Sequence, residues 1–401
     1  MPFSINKYFI LSIALIICTL VYEPYIFRSV IIVPIYLVVI SACFIFLCTQ
    51  AHFNLIKIIK FLSIILFFLC LLAYRMFYND LLLIPSTFEI LIIIYSILFF
   101  FVIHESKFIE KLTNIWFIFV AIISFITILA SIIANFHLLP LQEIELLNYP
   151  IKYQFILGMI HSSLSLERPS FYFAEPSYLG FFLGLNFIFF TSIKDKHNRF
   201  VMIMILMAGI LTGARTIWIG YLAVALLFLL FKILNMKSSI FQNSVCMIIF
   251  AVIIFFITIY PIEYSYLTED NSLLTRQIKL YSTLSLFEET FSIPNFLFGQ
   301  GATFIAHKTM QGGESNAFIK MLVEQGFIML IFSIVAIFFM LKNYPLLLFY
   351  TMITLNAVVL LVSPLFIFNI LLFHSFAGLA DTHILVVQGD MMNAPSTAKH
   401  R

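Results

Sequence analysis

The chain has 401 residues, of which 63% are apolar and only 10% charged; its net charge is +3 and its mean hydropathy +1.09. A water-soluble domain needs roughly a quarter of its residues charged to cover its surface, so soluble enzymes and disordered tails are excluded. So small and scattered a net charge also excludes a nucleic-acid groove. The composition is that of an integral membrane protein.

A helical crossing takes about 20 mostly apolar residues. That ruler predicts about twelve spans, near residues 8–22, 29–48, 58–74, 84–103, 112–136, 171–193, 200–213, 216–231, 244–260, 326–341, 345–363 and 365–380. The alternation of a membrane barrel is missing, so the expected class is an all-α polytopic membrane protein. Residues 1–401 form one transmembrane domain, with a long hydrophilic excursion at 261–325, a shorter one at 137–170 and a polar tail at 381–401. Lys7 precedes the first span and no small-residue cleavage pattern follows it, so that span reads as a retained helix. The five cysteines (Cys18, Cys43, Cys48, Cys70, Cys246) all sit in apolar runs and read as small buried hydrophobes.

Alternate loops collect thirteen Lys and Arg on one side and nine on the other, and the second side also carries most of the acids. Both termini are therefore expected to be cytoplasmic. The inner cations are almost all lysine, whereas Arg28, Arg75, Arg168, Arg215 and Arg276 fall on the outer side. A planar guanidinium grips phosphate or carboxylate with two hydrogen bonds, which a topological point charge does not need. The bias suggests an anionic ligand outside; ion pairing with nearby acids is the plainer explanation.

Three patches carry polar chemistry. The first, Glu167-Arg168-Pro169-Ser170 to Glu175-Pro176-Ser177, packs two carboxylates and an arginine into the entry of a span. Pro169 and Pro176 forbid a continuous helix before about residue 176. It is either part of a cavity or a helix start with a capping ion pair. The second is Thr212-Gly213-Ala214-Arg215-Thr216, at the apex of two crossings squeezed into residues 200–231. About 24 Å per pass is short of the roughly 30 Å hydrocarbon core, so the apex and its arginine are expected inside protein. The third closes the long excursion, which is expected to be ordered with amphipathic helices at the interface. There a Phe298-Gly299-Gln300-Gly301 turn precedes His307, Lys308 and Glu314-Ser315-Asn316, and a helix runs from Ala317 through Gly326 into the next span. The plainer reading of His307 is a solvated loop histidine, and of Ser315 or Asn316 a helix N-cap.

The order of these patches, R-P-x-F-x-F-x-E-P-S, then T-G-x-R-T, then F-G-x-G with E-S-N, nine further residues and a glycine, resembles the O-antigen polymerase and O-antigen ligase superfamily. The resemblance covers Arg168–Gly326. Two positions depart from it: Ala214 stands where many relatives have serine, and Ser315 stands where ligases of this pattern carry histidine. The second departure points to polymerase rather than ligase.

The resemblance implies a multi-span glycosyltransferase of a bacterial inner membrane, working at the periplasmic face without nucleotide sugar, metal or other cofactor. Its partners would be polyprenyl diphosphate-linked oligosaccharide repeat units, membrane lipid and a chain-length regulator. Transfer from such a donor needs cations at the departing diphosphate and a base at the acceptor hydroxyl. Arg168, Arg215 and Arg276 suit the first demand; Glu314, Glu175 and His307, in that order, are candidates for the second. The alternatives are a ligase delivering glycan to lipid A core and a lipid-linked oligosaccharide flippase, although internal repeats and midplane polar sites typical of transporters are lacking.

Overall fold

The computed structural model describes residues 107–136, the strands between 142 and 171, and residues 176–193, 199–236, 238–259, 271–301 and 317–355. It also describes isolated positions between 59 and 73, residue 304, and positions from 369 to 375. The first, second and fourth predicted spans and the tail lie outside the described residues. So do most of the third and twelfth.

Nine helices are described: α1 (Lys107–Asn135), α2 (Pro176–Ser192), α3 (Arg199–Leu211), α4 (Arg215–Ile233), α5 (Ser239–Ile259), α6 (Asn271–Glu289), α7 (Ile293–Phe298), α8 (Ala317–Leu341) and α9 (Pro345–Leu355). Two of them contain stretches long and apolar enough to cross a membrane, Leu112–Asn135 and Ala317–Leu341. Only 39% and 22% of their most apolar windows are buried, so neither is the core helix of a soluble domain.

α1 shows how composition becomes a lipid-facing helix. Leu112, Trp116, Val120, Ile123, Thr127 and Ala130 are buried at three- and four-residue spacing, while Ile118, Ile122, Phe125, Leu129 and Ile132 form an apolar outward stripe. A helix apolar on all sides is not amphipathic in the water-facing sense; packing, not hydropathy, selects its inner face. Its buried hydroxyls are satisfied locally, Ser124 donating to the Val120 carbonyl at 2.7 Å and Thr127 to Ile123 at 2.8 Å. Trp116 donates to the Asn186 Oδ1 at 2.8 Å, a polar fastening between α1 and α2.

α9 is the central helix. It contacts α2, α4, α5 and α8, and eight of its eleven residues, including Leu347, Tyr350 and Leu355, are buried. Asn243 of α5 donates to the Lys342 carbonyl at 2.7 Å, and the Cys246 thiol lies 3.5 Å from the Pro345 carbonyl. The start of α5 and the end of α8 therefore share one end of the bundle, the end that also holds Lys232 in the last turn of α4. Cys246 is buried as expected; Cys70 is exposed, contrary to the expectation for all five.

The described chain is predominantly helical, as expected, and one element departs from that pattern. The segment before α2 forms a four-stranded antiparallel meander, β1 (Gln142–Leu146), β2 (Tyr149–Gln154), β3 (Leu157–His161) and β4 (Glu167–Phe171), in the order β1-β2-β3-β4. Segments this short and polar do not register on a ruler built for twenty-residue apolar runs. Pro169, which argues against a central strand, sits in the terminal strand β4 opposite Met159, where the register shifts at a bulge. β4 packs on α1 and α2.

Candidate functional site

β4 packs on α2, and the α3–α4 turn seats on Gly180 of the same helix. Three of the predicted site residues have a described backbone. Arg168 is in β4, paired across the sheet with Ile160; Arg215 is the first residue of α4; Arg276 is in α6. Glu175, His307 and Glu314 lie outside the described residues, as do Ser315 and Asn316.

The α3–α4 turn is enclosed. Thr212 and Ile217 are fully buried and Ala214 is 4% exposed, in line with an apex inside protein at these three positions; the burial of Arg215 and Thr216 lies outside the described side chains. Gly213 takes the left-handed conformation, φ 62°, that lets three residues reverse the chain. A Cβ at Gly180 of α2 would stand 2.6 Å from the Thr212 hydroxyl and 2.8 Å from Ile217. The missing side chain is what lets the turn seat on α2 one turn beyond Pro176. That proline occupies the first helical position, where its absent N–H costs nothing. Ala214 provides no side-chain cap to α4. Trp218 instead reaches back to donate to the Ile210 carbonyl at 3.0 Å, closing the end of α3. Arg215 thus opens a helix whose N-terminus favours negative charge.

The glycines of the third patch interlock. α8 breaks at Gly326, which has φ 86° and ψ 167°. Gly299, at φ 82°, lies directly against that break. A Cβ on Gly326 would meet Gly299 N, the Leu297 carbonyl and Phe298 C, each at 2.5 Å. The carbonyls of Val323 and Glu324, which a continuous helix would pair with residues four further on, accept the Gln300 N–H at 2.8 Å and the Gly301 N–H at 3.0 Å. The Phe-Gly-x-Gly turn and the glycine twenty-five residues later are two sides of one backbone joint.

Reading the sequence missed Glu324. It is 3% exposed beside this joint, and its carboxylate lies 3.9 Å from Lys320 one helical turn earlier. An ionisable group buried in a helix long and apolar enough to cross a membrane is costly and calls for a function. The available signal was an acid with a lysine four residues before it inside an otherwise apolar helix; Glu324 had been counted with the outer acids.

The chain matches no protein-family model, no curated protein and no solved structure. What fold and site define is the class: a predominantly helical protein, two of whose described helices are long and apolar enough to cross a membrane, with a glycine-jointed break in one of them.

Proposed function

We propose that the protein is a surface-polysaccharide polymerase of the O-antigen type, moving a growing glycan from polyprenyl diphosphate onto a lipid-linked repeat unit at the periplasmic face of a bacterial inner membrane. The observation that carries this reading is the enclosed arginine turn. Arg215 begins a helix at a left-handed glycine corner walled by Thr212, Ala214 and Ile217. An arginine and a helix N-terminus at one buried corner suit a diphosphate and have little use in a lipid-facing hairpin.

In the reaction, the acceptor hydroxyl oxygen attacks the anomeric carbon of the donor sugar. The bond from that carbon to the diphosphate oxygen breaks, and the diphosphate leaves with the electron pair. Arg215 holds this leaving group, with Arg168 and Arg276 assisting, and the developing charge is stabilised where bulk water does not compete. The acceptor proton passes to a carboxylate, Glu314 first and Glu175 second, or to His307. The joint at Gly299 and Gly326 ties the end of the long excursion to α8.

Arg215→Ala is expected to abolish long glycan while protein level stays normal, and Arg215→Lys to restore only part of it, since a point charge replaces a two-pronged contact. Normal glycan length in Arg215→Ala, read on a gel at matched protein level, would contradict the assignment.

A further inference from the structure

The corner between α6 and α7 is built inside out for a loop in water. Its polar groups point inward and bond one another. Gln300 donates to the Thr290 carbonyl at 3.1 Å and to the Thr290 hydroxyl at 2.9 Å. Asn295 donates to the same carbonyl at 3.0 Å, the Ser292 hydroxyl accepts the Asn295 N–H at 3.2 Å, and Thr290 donates to the Leu286 carbonyl at 2.7 Å. What the corner turns outward is apolar: Phe291 is 57% exposed and Ile293 71%. From Thr290 to Ala306 the sequence has no charged residue. A solvated turn shows the opposite arrangement, polar tips out and apolar groups in.

The outward surface of the corner continues onto α8. Phe296 stacks on Phe327 with ring centroids 5.0 Å apart and planes at 19°, and Phe291 packs against Phe287 and Phe296 at about 6 Å. Phe327 begins the outward stripe of α8 that runs through Ile331, Phe332, Val335 and Phe339. Helix α6 itself interleaves exposed Tyr281 and Leu284 with Ser285 and Glu288, so it lacks the separated faces of an interfacial helix.

We propose that the Phe291–Ile293 corner is a lipid-docking site, inserted among the acyl chains of the bilayer beside α8. The continuity with α8 selects lipid as the occupant, and the lack of charge makes the contact independent of anionic headgroups. The corner holds the Gly299–Gly326 joint, so its insertion sets the depth of that joint. This inference stands whether or not the glycan reading does.

The test uses the full-length protein in nanodiscs, carrying Ile293→Trp or, as a control, Ser282→Trp, each compared with the parent for added emission. Brominated-chain lipid is expected to quench most of the emission added at position 293, equally in zwitterionic and anionic discs, and aqueous iodide little of it. At 282 the order should reverse. Iodide quenching at 293 would place the corner in water and overturn the proposal. Shielding at 293 from both quenchers would place it against protein, a second copy included, and overturn it as well. Should Ile293→Trp disturb the fold, Phe291→Trp reads the same surface.

Discussion

The two parts of α8 on either side of Gly326 are both rich in large apolar residues but opposite in surroundings. In the first, Ala317, Phe318, Met321, Val323 and Glu324 are buried. Beyond Gly326, only Ile337 and Leu341 are, while Phe327, Ile331, Phe332, Val335, Phe338 and Phe339 face outward. Next to lipid, exposing a phenylalanine carries little cost, so hydropathy does not tell a site from a lipid face. A broken helix and a carboxylate do carry a cost there, because backbone and side-chain polar groups have no water to turn to. The first half invests in just these: freed carbonyls matched by the Gln300 and Gly301 amides, and Glu324 matched by Lys320.

Substitutions across the joint should break this contrast most strongly. In Gly326→Ala the new Cβ meets backbone atoms at 2.5 Å on a residue with φ 86°, so strain of about 2–3 kcal/mol adds to the clash. Thermal unfolding in detergent should show the largest loss of this set, and Gly299→Ala should behave alike. Next comes Gln300→Ala, which removes two side-chain bonds to Thr290 from a nearly buried amide. A loss of about 1–2 kcal/mol is expected. Glu324→Gln should cost on the order of 1 kcal/mol, because Lys320 is a quarter exposed and the contact is long. A double-mutant cycle with Lys320→Met measures that coupling.

Two further substitutions sharpen the comparison from outside the joint. The hydroxyls of Tyr221 and Tyr350 are buried with no hydrogen-bond partner among the described residues. The two rings stack 5.9 Å apart, and Tyr350 lies over Gly184 and Gly220. Tyr350→Phe keeps the packing and removes an unsatisfied group, so it should raise stability by about 1 kcal/mol. Phe332→Leu, on the outward face of α8, should change stability by less than about 0.5 kcal/mol.

Much of the helical layout was legible because a crossing imposes its own length. The stretches 112–136, 200–213, 216–231 and 244–260 correspond to α1, α3, α4 and α5 within a few residues. The start of α2 at Pro176 followed from the fixed φ and missing donor of proline. The burial of Thr212 and Ala214 at the α3–α4 turn agrees with arithmetic on a short hairpin. The sheet was not legible, since its pairing depends on contacts between strands of five or six residues and places prolines in two of them. Nor was the break in α8: Gly326 reads as a tolerated helix glycine until Gly299 is seen lying against it. Glu324 was hidden by treating acids as a sum over loops rather than one at a time. The arginine positions came from the sequence; the roles given to them rest on the resemblance and on the enclosed turn.

The most direct test of the account is to reconstitute the purified protein with polyprenyl diphosphate-linked repeat units and run the products on a gel. A ladder of lengthening glycan, lost in Arg215→Ala, is the predicted result. Transfer only to added lipid A core would make the protein a ligase, and passage of lipid-linked glycan across the vesicle bilayer with no new glycosidic bond would make it a transporter; either would contradict the polymerase assignment.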